Sequence, residues 1–72
     1  MKIIATYAGM SEEGHHLLKD VQGDMERDHA WLNCRAGFPD GVEIGQRISF
    51  FASLFYRPGG AKLTDVREVR RV

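Results

Sequence analysis

The sequence predicts an all-β domain built as a small five-stranded barrel. Short segments in which apolar and polar side chains alternate are separated by turn-forming Gly and Pro residues, and no segment predicts a long helix. A chain of 72 residues has room for one domain and not for two. We therefore expect residues 1–72 to form a single folded unit.

The first two strands are predicted to form a hairpin. Residues 2–8 are rich in Ile, Thr and Tyr, and residues 15–22 form a second strand-like segment. The tetrapeptide Ser11-Glu12-Glu13-Gly14 lies between them and suits a tight turn.

Residues 28–35 predict a third strand, because successive side chains of a strand point to opposite faces of the sheet. One face would carry Ala30, Leu32 and Cys34, and the other would carry His29, Trp31 and Asn33. If the first face lies in the core, Trp31 is on the outside. The reverse assignment, with Trp31 as a core anchor, stays open because tryptophan is highly buried on average.

Residues 46–57 give the clearest strand pattern of the chain, because an apolar residue stands at every second position from Ile48 to Tyr56. The inward face is predicted to carry Ile48, Phe50, Ala52, Leu54 and Tyr56. The outward face is predicted to carry Arg47, Ser49, Phe51, Ser53, Phe55 and Arg57.

The last segment, residues 62–72, permits two interpretations. Pro58-Gly59 suits a type II turn that returns the chain from the fourth strand. Apolar residues then recur every three positions, at Leu63, Val66, Val69 and Val72. This spacing fits a strand with a bulge or one face of a helix, so the first half is predicted as strand and residues 64–72 remain strand or helix.

Five short strands must hide their sheet edges, and closure into a barrel does so. A five-stranded barrel of the OB type, closed or partly open, fits the strand count. In many OB folds a helix joins the third and fourth strands. Here residues 37–45 are too short and too rich in Gly and Pro for one, so a short loop is predicted in its place.

Composition and residue spacing exclude several classes of function. Equal numbers of basic and acidic residues remove the chain-wide basic excess that typical nucleic-acid binders carry. The three histidines and the single cysteine lack metal-ligand spacing, and no acid, base and nucleophile can be argued together. We therefore expect no metal, no cofactor and no enzymatic activity. The single cysteine and the short apolar N-terminal run favour a cytoplasmic protein without a membrane segment.

Two groups of residues resemble known OB-fold families. Residues 41–50 (Gly-Val-Glu-Ile-Gly-Gln-Arg-Ile-Ser-Phe), the Arg-Pro-Gly-Gly turn and residues 61–69 resemble the C-terminal half of cold-shock-like OB domains. Residues 28–31 (Asp-His-Ala-Trp) with residues 45–52 are similar to small bacterial and phage-type OB proteins. The resemblance implies the OB fold, with nucleic acid as the commonest partner. The first half of this chain lacks the closely spaced base-stacking aromatics of cold-shock strands. The binding mechanism of cold-shock domains is therefore not carried over.

Arginines and aromatic rings interleave on the outward face of the fourth strand, where bases could stack on rings and phosphates could pair with cations. The candidate binding residues are Trp31, Arg47, Phe51, Phe55, Arg57, Lys62 and Arg67. A basic C-terminal end, with six basic and four acidic residues in positions 37–72, would extend this surface. A packing role for Phe51 and Phe55 and a merely solubilising role for the basic end are the alternatives.

The sequence thus favours a non-catalytic binding module that engages single-stranded DNA or RNA weakly. The alternative is a protein-interaction or homodimeric assembly module that uses the same aromatic surface. Zero net charge favours this alternative, and aromatic side chains serve protein interfaces equally well.

Overall fold

A computed structural model of the chain describes residues 1–32, 38–58 and 60–72, with the backbone alone at residues 57, 60 and 61. It contains five strands, which are β1 (Lys2–Met10), β2 (His16–Gly23), β3 (Arg27–Leu32), β4 (Arg47–Arg57) and β5 (Gly60–Arg71). They form a closed barrel in the order β1-β2-β3-β5-β4, in which β3 and β5 are parallel and the other pairs antiparallel. The predicted all-β, five-stranded barrel is confirmed and is consistent with a small OB-fold-like barrel.

The core follows the predicted alternation along most of the barrel. Ala30 and Leu32 of β3 are buried, and Ile48, Phe50 and Ala52 of β4 are buried. Because neighbouring side chains of a strand face opposite ways, Trp31 and Phe51 lie on the outer side of the barrel. Cys34 and Asn33, which were assigned to the two faces of β3, lie outside the described residues, as does Gly59 of the proposed turn.

The inward assignment of Tyr56 was wrong, since 67% of its surface is exposed. In the described residues β3 pairs with β5 at two positions, Trp31 with Lys62 and Leu32 with Leu63. Tyr56 pairs with Ala61, one position before that contact. It therefore lies in the β4–β5 hairpin beyond the paired part of the barrel, where the guanidinium carbon of Arg27 is 5.5 Å from the centre of its ring.

Strand β5 carries two bulges, which explain its three-residue apolar period. The pairs Ser49–Arg70, Phe51–Arg67 and Ser53–Thr64 show that each step of two residues on β4 meets three residues on β5. Asp65 and Glu68 supply the extra residues in the left-handed conformation, with φ of 55° and 53°. The side chains of Val66 and Val69 therefore both pack against the core. The strand with a bulge is confirmed, and the helical alternative for residues 64–72 was wrong.

The loop before β4 takes the place of a helix. Its described part, residues 38–46, contains no helix, as predicted. Phe38 and Val42 pack against the core from this loop. The N–H of Tyr7 donates to the carbonyl of Gln46 at 2.9 Å, and the N–H of Gly45 donates to the carbonyl of Tyr7 at 2.8 Å. The loop is thereby fastened to β1 and covers the core with apolar side chains.

Candidate functional site

Four outward side chains form a continuous row across four strands of the barrel, which we call the aromatic row. It consists of Leu17 on β2, Trp31 on β3, Lys62 on β5 and Phe55 on β4. Each is the register partner of the next, and directly opposed residues share one face of a sheet. The neighbours Ala30, Leu32 and Leu63 are buried, which fixes the row on the outside.

Trp31 lies on the outer surface and is partly buried there, so it is not the core anchor of the alternative interpretation. The edge of His15 meets it, with ring centres 6.2 Å apart and ring planes at 89°. Nδ1 of His15 lies 3.7 Å from a carboxylate oxygen of Glu13 in the β1–β2 turn. The contact with His15 holds the indole against the barrel at one edge.

Phe51 is the centre of a second outward group, which we call the basic row. It pairs with Lys2 of β1 on one side and with Arg67 of β5 on the other. The ring is 38% exposed. A shallow depression of about 300 Å³ is lined by Phe51, Arg67 and Glu68. The basic row thus places one ring between two cations.

The two rows lie on one surface of β4 and β5. Ser53 and Thr64 pair with each other between the rows. Phe55 lies four positions after Phe51 on β4, which corresponds to about 13 Å along a strand. Arg70, opposite Ser49, continues the surface beyond the basic row.

Carboxylates lie near the cations of this surface: Glu68 lines the same depression as Arg67, and Asp24 accepts a hydrogen bond from the backbone N–H of Lys2. In residues 1–32, 38–58 and 60–72 the one ion pair within 4.0 Å is that of His15 with Glu13. Lys62, Arg67 and Arg70 therefore have no salt-bridge partner among the described side chains. An anionic ligand could bind them without first breaking a salt bridge.

Arg47 was predicted to act with these residues, and the structure gives it a different position. Its guanidinium donates to Oγ1 of Thr6 at 3.0 Å, to the carbonyl of Asp20 at 3.2 Å and to Oε1 of Gln22 at 2.7 Å. It lies about 27 Å along β4 from Phe55. Arg47 thus connects β4 to β1 and β2 and is separated from the aromatic row.

The structure therefore brings together five of the seven predicted residues. These are Trp31, Phe51, Phe55, Lys62 and Arg67. Arg57 ends β4 opposite Gly60, and its side chain lies outside the description. The sequence prediction missed Leu17 and Lys2, and it included Arg70 only as part of the basic C-terminal end. The sequence signal that could have placed Arg70 is the three-residue period of apolar residues in β5. The two bulges behind this period place residues 62, 64, 67 and 70 on one face.

An aromatic cluster lies at the loop-covered part of the barrel, apart from this surface. The hydroxyl of Tyr7 is hydrogen-bonded to Nδ1 of His16 at 2.8 Å. The ring of Phe38 stacks on Tyr7, with centres 5.3 Å apart, and lies 4.7 Å from the ring of His16. Burial raises the pKa of Tyr7, and burial lowers the pKa of His16 against the opposing charge of Asp40. Both groups are accordingly neutral near pH 7.

Metal coordination finds no support within the described ranges, where no three His, Cys, Asp or Glu side chains are grouped so that they could hold an ion. Nor does the part of the chain that the structure describes include a helix long and apolar enough to cross a membrane. No protein-family model, no curated protein and no solved structure matches this chain.

Proposed function

We propose that this chain is a non-catalytic module that binds single-stranded nucleic acid weakly on the outer surface of β3, β5 and β4. The observation that carries the proposal is the aromatic row, in which Lys62 stands between Trp31 and Phe55. Unpaired bases stack on aromatic rings while phosphates pair with cations. Single-strand binding needs both groups within a few ångströms of each other, and adjacent strands are about 4.8 Å apart.

The charge distribution supports the same conclusion. Net charge is zero, but Lys62, Arg67 and Arg70 lie on one face and have no carboxylate within 4.0 Å among the residues that the structure describes. A local cationic surface is sufficient for weak electrostatic binding, for which dissociation constants of about 1–100 μM are typical. The barrel topology itself does not establish the activity, because one fold serves many functions.

Trp31 provides the test, because it is the only tryptophan in the sequence. Oligothymidylate and oligouridylate are titrated at low salt, and Trp31 fluorescence is recorded together with the anisotropy of a labelled strand. We expect quenching on binding, and Phe55→Ala should weaken binding by about five- to 150-fold, the value of one stacked base. Tyr56→Ala is the matched control, since Tyr56 is an exposed ring on the same strand outside the row.

No quenching and no anisotropy change at about 100 μM protein would refute the proposal, because even non-specific electrostatic binding registers there. Equal weakening by Phe55→Ala and Tyr56→Ala would refute the role of the aromatic row.

The second candidate is a protein-interaction or self-association module that uses the same surface. Zero net charge favours it, as does the 57% exposure of Phe55. Sizing chromatography at low and high salt separates the two candidates. Concentration-dependent dimerisation that salt leaves unchanged indicates a protein interface, whereas salt-sensitive retention on single-stranded DNA resin indicates nucleic acid.

A further inference from the structure

We infer that a bound single strand runs lengthwise along β4 and β5, with its phosphates over the cations of β5 and its bases over the rings of β4. This inference rests on the function proposed above and specifies the path and minimum length of the ligand. The path follows from the register of β5, from the ring–cation pairs and from the charge of the other barrel surfaces.

The bulges of β5 create the row of cations. Strict alternation from Lys62 would direct residue 66 outward and residue 67 inward. The extra residue at Asp65 reverses this, so that Arg67 is the outward partner of Phe51 and Val66 packs against the core. The extra residue at Glu68 repeats the effect one step later, which brings Arg70 outward and Val69 inward.

Two outward rings of β4 each stand opposite one of these cations. Phe55 is the partner of Lys62, and Phe51 is the partner of Arg67. Two hydroxyl side chains, Ser53 and Thr64, pair in the interval and can hydrogen-bond to sugar or phosphate oxygens. A nucleotide strand has its phosphates on one side of the sugar and its bases on the other. The parallel rows of cations and rings match that arrangement.

The crosswise path over β1 and β2 is unsuited to a polyanion. The guanidinium of Arg47 is already hydrogen-bonded to Thr6 and Gln22. A polar groove of about 350 Å³ near the β2–β3 turn is lined by Asp20, Glu26 and Asp28, with Arg27 as its one cation. That groove carries three carboxylates against one cation, whereas residues 62–70 of β5 carry three cations against the two carboxylates of Asp65 and Glu68. The lengthwise path therefore repels phosphate less than the crosswise path does.

The separation of the two ring–cation pairs sets the length of the ligand. About 13 Å between Phe55 and Phe51 corresponds to about four stacked nucleotides at ~3.4 Å each. Arg70 lies one further step along β5 and extends the path to about six nucleotides. A trinucleotide should therefore reach the aromatic row alone, whereas an octanucleotide should cover both rows.

The test compares oligothymidylates of three to ten nucleotides on the wild-type chain, Arg67→Gln and Lys19→Gln. Lys19 is an exposed cation of β2 that lies off the path, so it controls for the loss of one charge. We expect the affinity to rise up to about six nucleotides and then to level off. Arg67→Gln should leave Trp31 quenching by the trinucleotide unchanged and should weaken octanucleotide binding at least about fivefold. It should also reduce the slope of log K against log salt by about 0.7.

Affinity that stops rising at three nucleotides, or equal weakening by Arg67→Gln and Lys19→Gln, would overturn the lengthwise path while the proposed function stood. If the octanucleotide neither quenches Trp31 nor changes anisotropy, the proposed function itself fails and the path fails with it.

Discussion

The inner and outer sides of the barrel use the same residue types for opposite purposes. Phe50 is 1% exposed and pairs with Ile3 in the core, whereas Phe51, the next residue, is 38% exposed between Lys2 and Arg67. The outer side repeats the contrast with arginines. Arg47 is bound to three neighbours, whereas Arg67 has no carboxylate partner in the described part of the chain.

These pairs show that position in the register, and not residue type, separates side chains held inside the fold from the outward side chains of the proposed binding surface. A shift of one residue in a strand exchanges its core and solvent faces. A side chain acquires a structural role where neighbouring strands supply partners, and it stays open to a ligand where they do not. Replacing the members of such a pair one at a time tests the contrast.

The largest effect is expected in the core. Phe50→Ala should destabilise the domain by about 3–5 kcal/mol, the cost of truncating a buried aromatic, which is enough to unfold a domain of this size. Phe51→Ala should cost less than about 1 kcal/mol and should mainly weaken binding. Thermal midpoints of the two variants measure the contrast. Equal losses would mean that both rings are buried.

A smaller effect is expected for the hydrogen-bonded arginine. Arg47→Ala removes three hydrogen bonds between strands, one of them partly buried, and should cost about 1–2 kcal/mol with little effect on oligonucleotide binding. Arg67→Ala should change stability by at most about 0.5 kcal/mol and should weaken binding. Urea unfolding and anisotropy titrations of both variants test this. The distinction between the two arginines fails if both variants lose stability equally.

The bulges give a third test. Glu68 has a φ of 53°, which a non-glycine residue adopts at a cost of about 1–2 kcal/mol. Glu68→Gly removes that strain but adds freedom to the unfolded chain, so a net stabilisation of about 0.5 kcal/mol is expected. Glu68→Val should destabilise by more than about 1 kcal/mol, because β-branched residues are poorly accommodated there. Equal stability of the two variants, measured in urea, would contradict the bulge.

The smallest effect concerns pH. Burial lowers the pKa of His16 in the folded chain below 6.5, the usual value, with Asp40 opposing the shift. Below pH 6.5 the unfolded chain therefore binds this proton more readily, so stability should be lost as the pH falls toward the folded-state pKa. Well above pH 6.5, where His16 is neutral in both the folded and the unfolded chain, it should contribute no pH dependence.

The measurement is the thermal midpoint between pH 7.5 and 5. His16→Gln should flatten the decline, whereas His29→Gln, a change at an exposed histidine of β3, should leave it as in the wild type. If the decline persists unchanged in His16→Gln, titratable groups other than His16 cause it.

The sequence predicted most of the fold because alternation is a local signal. Residues 46–57 identified the faces of β4 as far as Leu54, which packs against the core. The pattern failed at Tyr56 because no local signal shows where a neighbouring strand stops. The loop before β4 was predicted from its length and its Gly and Pro content. The packing of its side chains Phe38 and Val42 against the core was not predicted. Whether Phe38 reaches Tyr7 and His16 depends on a contact between distant segments.

The amino-acid sequence by itself determined the strand count, the faces of the central strands and the presence of rings and cations on one side of β4. These features follow from side-chain period and turn chemistry, which act over a few residues. Tertiary structure decided which of them meet. Closure of β3 against β5 joined Trp31 to Lys62 and Phe55, the bulges of β5 aligned Arg67 and Arg70, and neighbouring strands bound Arg47. The physical reason is register, since pairing between distant strands fixes which outward side chains become neighbours.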